Sequence, residues 1–383
     1  MIPIAIPNLC GNEGRYLQEC VTTGFVSSVG PFVGRFEKMV AVSAGTPDAV
    51  ATSAGTTGLH LALICAGVLP GDLVITTAFS FIATANAIAH CGASPWFFDI
   101  NGSDWCLDAG LLTKTLRDET VTTAKGLRHK ATGRRVAALM PVYTNGYIPR
   151  GFRSIADEFQ LPLVADAAPA IGSMWEDKGV GAFADLTVFS FNGNKTVTTG
   201  GGGAVVSNDP VLLARARHLS STARVGADYD HDAVGYNYRM TNIEAAIGCA
   251  QLENLSRFIA AKRHIREAYN KVLVHHPGVT LFPDAPDKGN ACWFSGFVLP
   301  EDGRIPFEPF ARKLNAEGVQ CRAFWKPLHM QRPFVECLKT QMIVCESLWR
   351  RIVVLPSSSH LGEEEQMFVI RTVKCALEYS LVD

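Results

Sequence analysis

Three separated groups of residues have types and spacing suited to chemistry. The first is Ser53-Ala54-Gly55-Thr56-Thr57-Gly58, directly ahead of an apolar helical pattern. Small residues let backbone N–H groups come close to a ligand, and a helix N-terminus favours an anion such as phosphate. Threonine hydroxyls add donors. The competing reading is an ordinary threonine N-cap, and on this segment alone the cap is favoured. The second is Asp166, at the end of the apolar run that starts at Leu161, followed by Ala167 and Ala168. In an open α/β sheet, ligands gather at the carboxyl ends of strands. A carboxylate there serves a ligand or caps a helix, and the residues leave both open. The third is Lys195, between the aromatic run VFSF and the glycines Gly200–Gly203. No other charged residue lies between Asp185 and Asp209, so Lys195 is not one member of a charged face. A partly buried lysine is suited to a Schiff base with a carbonyl. The glycine run is not GxGxxG, and no helix with an acidic residue about 20 positions on supports a dinucleotide site.

Positioning these groups requires a particular order of elements. Short β-branched and apolar runs at Leu73–Thr77, Pro95–Ile100, Val136–Val142, Leu161–Asp166, Leu186–Phe191 and Gly203–Val206 read as strands. Helical patterns at Ala54–Ala66, Phe81–His90 and Phe152–Phe159 alternate with them. This alternation predicts βαβ units and a mostly parallel sheet covered on both faces. After Thr241 one long helical pattern, NIEAAIGC through YNKVL, leads into a second unit. That unit is predicted to be smaller and α+β. Its strands would lie at CWFSGFVL and VQCRAFW, with a final helix from Glu363. The expected division is a large α/β domain over 1–250, including the N-terminal segment, and a small domain over 251–383.

Composition narrows the function class. The 383 residues carry 35 basic and 36 acidic side chains, a net charge of −1. That balance argues against a nucleic-acid or anionic-membrane surface. Charged residues make up 19% and apolar residues 48%, where about 25% charged is usual. The most apolar stretch, Leu59–Phe81, is interrupted by Pro70, Gly71 and Asp72, so no spanning helix is expected. The opening MIPIAIPNLCGNE has no signal-peptide pattern. Eleven cysteines are scattered without CxxC or zinc-ligand spacing, which predicts reduced, mostly buried thiols, no metal site and a cytoplasmic location. The apolar excess is then expected to be buried in an oligomer.

The three groups make joint sense for one cofactor. Pyridoxal phosphate needs a lysine for its aldehyde, a carboxylate for its pyridine nitrogen and an anion cradle for its phosphate. Lys195, Asp166 and the turn at Gly55–Gly58 supply these types. The matching segments run along nearly the whole chain: FVSSVGPFVGRFE, SAGTTGLHLAL, FSFIATANAIAHCGASPWFFDI, ADAAPAIGS, FSFNGNKTVTTGGGGA, HDAVGYNYRMTNIEAAIGCAQLE and WKPLHMQ. With these the chain resembles the DegT/DnrJ/StrS family of pyridoxal-phosphate-dependent sugar aminotransferases, of fold type I. IPNLCGNE, TTGGGG and HDAVGYNYRMTN resemble the branch serving legionaminic-acid-type bacterial surface sugars.

The resemblance implies a fold with a seven-stranded-type sheet and a homodimer with shared active sites. It implies that Lys195 carries the cofactor and that Asp166 keeps the pyridine nitrogen protonated. Gly55, Thr56, Thr57 and Ser190 would hold the phosphate, and Phe81 would stack on the ring. Asn237, in GYNYR, would reach the neighbouring subunit's cofactor. Phe25, Tyr236 and His329 would lie near the sugar, with core or interface roles equally open. The implied reaction is ping-pong transfer from L-glutamate to a nucleotide-linked 4-keto-6-deoxy sugar for surface glycan such as O-antigen. A 3-keto-sugar aminotransferase and a silent cofactor-binding regulator are the alternatives; sugar dehydratases of the family carry histidine in place of Lys195. One departure stands out: Pro169 occupies a place where the family often has Gln, Glu or His. Proline brings no side-chain hydrogen bond there.

Overall fold

The protein is described from a computed structural model covering residues 1–287 and 289–379. Leu73–Thr77 lies between Ser94–Phe98 and Val136–Met140, all parallel. Parallel bridges from Leu139 to Leu163 and from Val142 to Asp166 join Val164–Asp166 to this set. Leu186–Ser190 follows, also parallel. Gly203–Ser207 then runs antiparallel between Leu186–Ser190 and Asp48–Thr52. The result is one mixed sheet with a single reversed strand, the mostly parallel architecture the sequence predicts.

Side chains alternate across this sheet, as strand geometry requires. Val50, Val188 and Val205 pack with Leu59, Leu63 and Ile88 on one face. Ala51, Phe189 and Val206 pack with Phe36, Val40 and Ala246 on the other. Leu73–Thr77 and Val136–Met140 are buried at every position. Helices therefore cover both faces, and the strand ends are where a ligand can reach the sheet.

Two expectations about the second half need correcting. The helical pattern after Thr241 is two helices, Asn242–Leu252 and Leu255–Leu273. The first opens with a reciprocal cap: Thr241 N–H donates to the Glu244 carboxylate at 2.9 Å, and Glu244 N–H donates to Thr241 Oγ1 at 3.3 Å. The break falls at Glu253 and Asn254. The Glu253 carboxylate is drawn aside by Arg35 at 2.6 Å, Tyr16 OH at 2.6 Å and Asn12 at 2.7 Å. The segment VQCRAFW is not a strand. It makes only isolated bridges, Ile2 to Val319 and Ala323 to Val353; Val319 and Cys321 pack in the C-terminal core, and Arg322 to Trp325 line a cavity described below. The small sheet is instead Thr280–Leu281, Ser295–Val298 and Ile352–Leu355, antiparallel. The helices Leu255–Leu273, Phe307–Ala316 and Glu363–Tyr379 supply Ile265, Tyr269, Phe310 and Val373 to its core.

We propose a domain boundary at Glu253 and Asn254, just past the expected 250/251, because Asn242–Leu252 packs on Pro31–Ala44 and Leu255–Leu273 packs on Ser295–Val298. The first few residues depart from it. Ile2 N–H donates to Gly318 O at 2.7 Å, and Ser357 N–H to Ile4 O at 2.7 Å, so the chain start is laced to the C-terminal unit. Among the described residues, no helix is long and apolar enough to cross a membrane, and no cluster of three His, Cys, Asp or Glu side chains could hold a metal.

Candidate active site

A cavity of about 500 Å³ opens at the carboxyl ends of Val164–Asp166 and Leu186–Ser190, beside the N-terminus of Gly55–Cys65. Its size suits a cofactor-and-substrate site. Asp166 is the last residue of its strand and is buried. Thr84 Oγ1 donates to its Oδ2 at 2.6 Å, and Ala168 N–H donates to its Oδ1 at 3.2 Å. Burial pushes the carboxyl pKa up; the Thr84 and Ala168 bonds and the Lys195 charge pull it back. No helix begins directly after it, so Asp166 is not a cap.

Lys195 sits on the turn after Phe191, with its N–H donated to Asn192 O at 2.9 Å. Burial pulls its ammonium down to about 8, against the opposing pull of the Asp166 charge. The glycine run explains how this turn meets the first group of residues. Gly202 N–H donates to Ser53 O at 3.1 Å, and Gly202 holds φ +80. A Cβ on Gly203 would lie 2.6 Å from the Ala54 carbonyl, and one on Gly55 would lie 2.8 Å from Ser190 Cβ. Backbones therefore converge where Gly55, Thr56 and Ser190 line the cavity. The first helical N–H with an intrahelical acceptor is that of Gly58, bonded to Ala54 O at 3.0 Å. Those of Gly55, Thr56 and Thr57 precede it and are the natural donors to an anion.

Lys195, Asp166, Gly55, Thr56, Ser190 and Phe81 all line the cavity; Phe81 stays 59% exposed at its mouth. The others of the predicted set do not. The Thr57 hydroxyl is spent locally, accepting from Ala54 N–H at 3.0 Å and donating to Ala54 O at 2.8 Å. His329 is buried in the turn Leu328–Met330, with Nε2 2.8 Å from the Glu346 carboxylate, so it does not reach the cavity. Tyr236 stacks on Tyr238 at 4.9 Å and meets the edge of His60. Phe25 and Asn237 are exposed on the surface. Pro169 lines the cavity as an apolar wall. The cavity also takes in Thr84, Asn194, Trp293, Arg322 and Trp325, which the sequence does not single out. Thr84 stands within the segment FSFIATANAIAH, whose pattern could have pointed to it; the rest come from texture that reads as core.

Residues 8–374 match the DegT/DnrJ/EryC1/StrS aminotransferase family. The chain belongs to this family. It is 34% identical to GDP-perosamine synthase of Vibrio cholerae over 377 residues, covering 98% of each chain. It is 32% identical to UDP-N-acetyl-3-dehydro-alpha-D-glucosamine 3-aminotransferase of Acidithiobacillus ferrooxidans (strain ATCC 23270), covering 86% of this chain and 84% of that one. The crystal structure of the aminotransferase TlmJ from Streptoalloteichus hindustanus superposes with a TM-score of 0.88 at 27% identity, covering all of both chains. As a DegT/DnrJ/EryC1/StrS aminotransferase of fold type I, the chain uses pyridoxal phosphate. Its cavity fits that group. It offers an amine poised near 8, a buried carboxylate, and a glycine-lined cradle that a Cβ would fill. It also holds a buried Asn194 Oδ1 without a partner among the described residues.

Proposed function

We propose that this aminotransferase moves the amino group of L-glutamate onto the ketone of a nucleotide-linked 4-keto-6-deoxy sugar, giving a 4-amino sugar for a bacterial surface glycan. The observation that carries this reading is Lys195 and Asp166 in one cavity beside a helix N-terminus and its small-residue cradle. When bound, pyridoxal phosphate supplies an aldehyde for the lysine and a ring that withdraws electrons.

The chain's own residues do the rest. Backbone N–H groups of Gly55, Thr56 and Thr57, with the Thr56 and Ser190 hydroxyls, hold the phosphate. Asp166 would hold the ring nitrogen and keep it protonated. Thr84 fixes the carboxylate in that direction. Phe81, at the cavity mouth, would cover the ring. Lys195 would hold the cofactor through its aldehyde and, as a free amine, would serve as base and acid at the reacting carbon. Its lowered pKa suits proton transfer. Arg322 lines the same cavity with no ion-pair partner among the described residues, and it meets the anionic nucleotide.

The chains act as a homodimer, with the exposed Asn237 serving the partner's site. Phe25 is exposed in the same way; Tyr236 and His329 are held by the core contacts described above and are left out of the sugar site. Position C4 is favoured by the 34% likeness to GDP-perosamine synthase over nearly the full length of both chains. The 32% likeness to the 3-aminotransferase keeps a 3-keto sugar as the second reading.

The reading is open to a direct test. Wild-type protein loaded with pyridoxal phosphate should lose its visible band when L-glutamate is added, and Lys195→Ala should show neither that change nor turnover. A Lys195→Ala variant that transaminates normally overturns the proposal. A wild-type band indifferent to glutamate and other amino donors points to the silent regulator.

A further inference from the structure

Trp293 comes from the C-terminal half of the chain, yet its ring lies against the central amine. Lys195 Nζ is 3.6 Å from the indole centroid. The indole Nε1–H donates to Asn194 O at 2.7 Å, the residue just before the lysine. The ring also stacks on Phe294, with centroids 4.0 Å apart, and is almost fully buried. The backbone that carries it is fastened unusually well. Lys262 Nζ donates to Trp293 O at 3.1 Å and to Ser357 O at 2.7 Å. Arg266 Nη2 donates to Phe294 O, which also accepts from Asn145 Nδ2 at 3.1 Å. Phe294 N–H donates to Asn145 Oδ1 at 2.8 Å.

Lys262 and Arg266 are themselves buried. Only Asp284 stands near Arg266, at 3.7 Å, and no carboxylate is paired with Lys262 among the described residues. Buried cations of this kind cost stability compared with apolar residues of the same volume. Lys262 donates to the carbonyl of Trp293 as well as to that of Ser357, and Arg266 to that of Phe294 as well as to that of Pro283. The cost is explained if Trp293 and Phe294 must not move.

We propose that Trp293 is the positioning residue for the Lys195 amine, and that Lys262 and Arg266 fix Trp293 in place. A lysine has a long flexible stem and loses entropy when held in one direction. A flat, rigid ring beneath Nζ removes that freedom. Its π face attracts the ammonium form; a leucine in its place keeps the site apolar without that attraction. The bond to Asn194 O ties ring and lysine to one piece of backbone, so they shift together. Trp293 acts on the reaction through Lys195, by limiting where the amine points.

The inference rests on Lys195 being the cofactor-linked lysine. Lys195→Ala tests that reading; the variants of Trp293 keep Lys195 intact. Trp293→Leu removes the π face, and Trp293→Phe keeps a face but loses the Nε1 bond. The pH midpoint of linkage is read from the visible band formed when pyridoxal phosphate is added. In Trp293→Leu this midpoint should fall by about half to one and a half pH units, since the π face that favoured the ammonium is gone. Its kcat should drop about tenfold or more, with the sugar KM changed by less than about twofold. Trp293→Phe should retain most of the midpoint and lose about threefold or less in kcat. A Trp293→Leu midpoint that stays or rises overturns the proposal. So do equal losses in both variants that simply follow their thermal midpoints.

Discussion

Burial pulls the amines of half-buried Lys195 and buried Lys262 down to about 8, yet only Lys195 faces the cavity. Lys262 is tied to two carbonyls, so the same desolvation makes one lysine reactive and the other structural. The difference predicts distinct pH behaviour. For Lys195, linkage to added pyridoxal phosphate should rise as pH passes about 8 and then level off, because the free amine is the nucleophile. The Asp166 charge holds that pKa up, so Asp166→Asn should shift the midpoint downward; absorbance titration of both proteins checks this, and an upward shift would contradict it. For Lys262 the sign follows from linkage. A lysine with a depressed pKa in the folded chain binds fewer protons there than in the unfolded chain between about 8 and its ordinary value. Its burial penalty is therefore complete below pH 8 and fades as pH rises. Urea unfolding should show Lys262→Met losing ground to wild type between pH 7 and pH 10, by on the order of 2 kcal/mol.

The elements place these residues through close backbone approach. Gly203→Ala would press a Cβ to 2.6 Å from the Ala54 carbonyl, which a backbone cannot readily yield. We expect about 1–3 kcal/mol of lost stability, seen by denaturant unfolding, together with weaker pyridoxal phosphate binding. Gly55→Ala meets the Ser190 side chain instead, at 2.8 Å, so adding Ser190→Gly should restore part of its lost stability to denaturant. If the double variant is no more stable than Gly55→Ala alone, the cradle is not built as described. This layer also shows what sequence could carry. Strands such as Leu73–Thr77 were legible because burial on both faces makes them apolar throughout. Asp166 and Lys195 were legible because a charge amid apolar strands and small residues is costly unless it serves a ligand or a partner. The purpose of Gly200–Gly203 was not, since it depends on the distant turn at Ser53–Gly55. The helix break at Glu253 depends on Arg35 and Tyr16, and VQCRAFW reads as a strand until the cavity claims Arg322 to Trp325. Trp293 is indistinguishable in sequence from a core tryptophan. His329 fell out of the site because Glu346, 17 residues later, takes its ring nitrogen.

At the scale of the whole molecule, the shortage of charge and excess of apolar residues find a place in the proposed dimer. Val29, Tyr229 and Val234 are exposed at 58%, 74% and 84%, and Phe25 and Phe81 lie open as well. Obligate interfaces are the hydrophobic kind. Asn237 gives the dimer a functional test. Mixed Lys195→Ala and Asn237→Ala subunits should form heterodimers with one intact site. Random pairing then restores about a quarter of wild-type activity from two weak parents. No recovery on mixing would place Asn237 outside the partner's site. The central claim, amino transfer to a nucleotide-linked 4-keto sugar through Lys195, is tested most directly by mass spectrometry. The protein is incubated with L-glutamate and a panel of nucleotide 4-keto and 3-keto sugars. The account predicts a product in which NH2 and H replace the ketone oxygen of a 4-keto substrate, formed by wild type and absent with Lys195→Ala. Product from 3-keto sugars alone, or equal product from the Lys195→Ala variant, would contradict it.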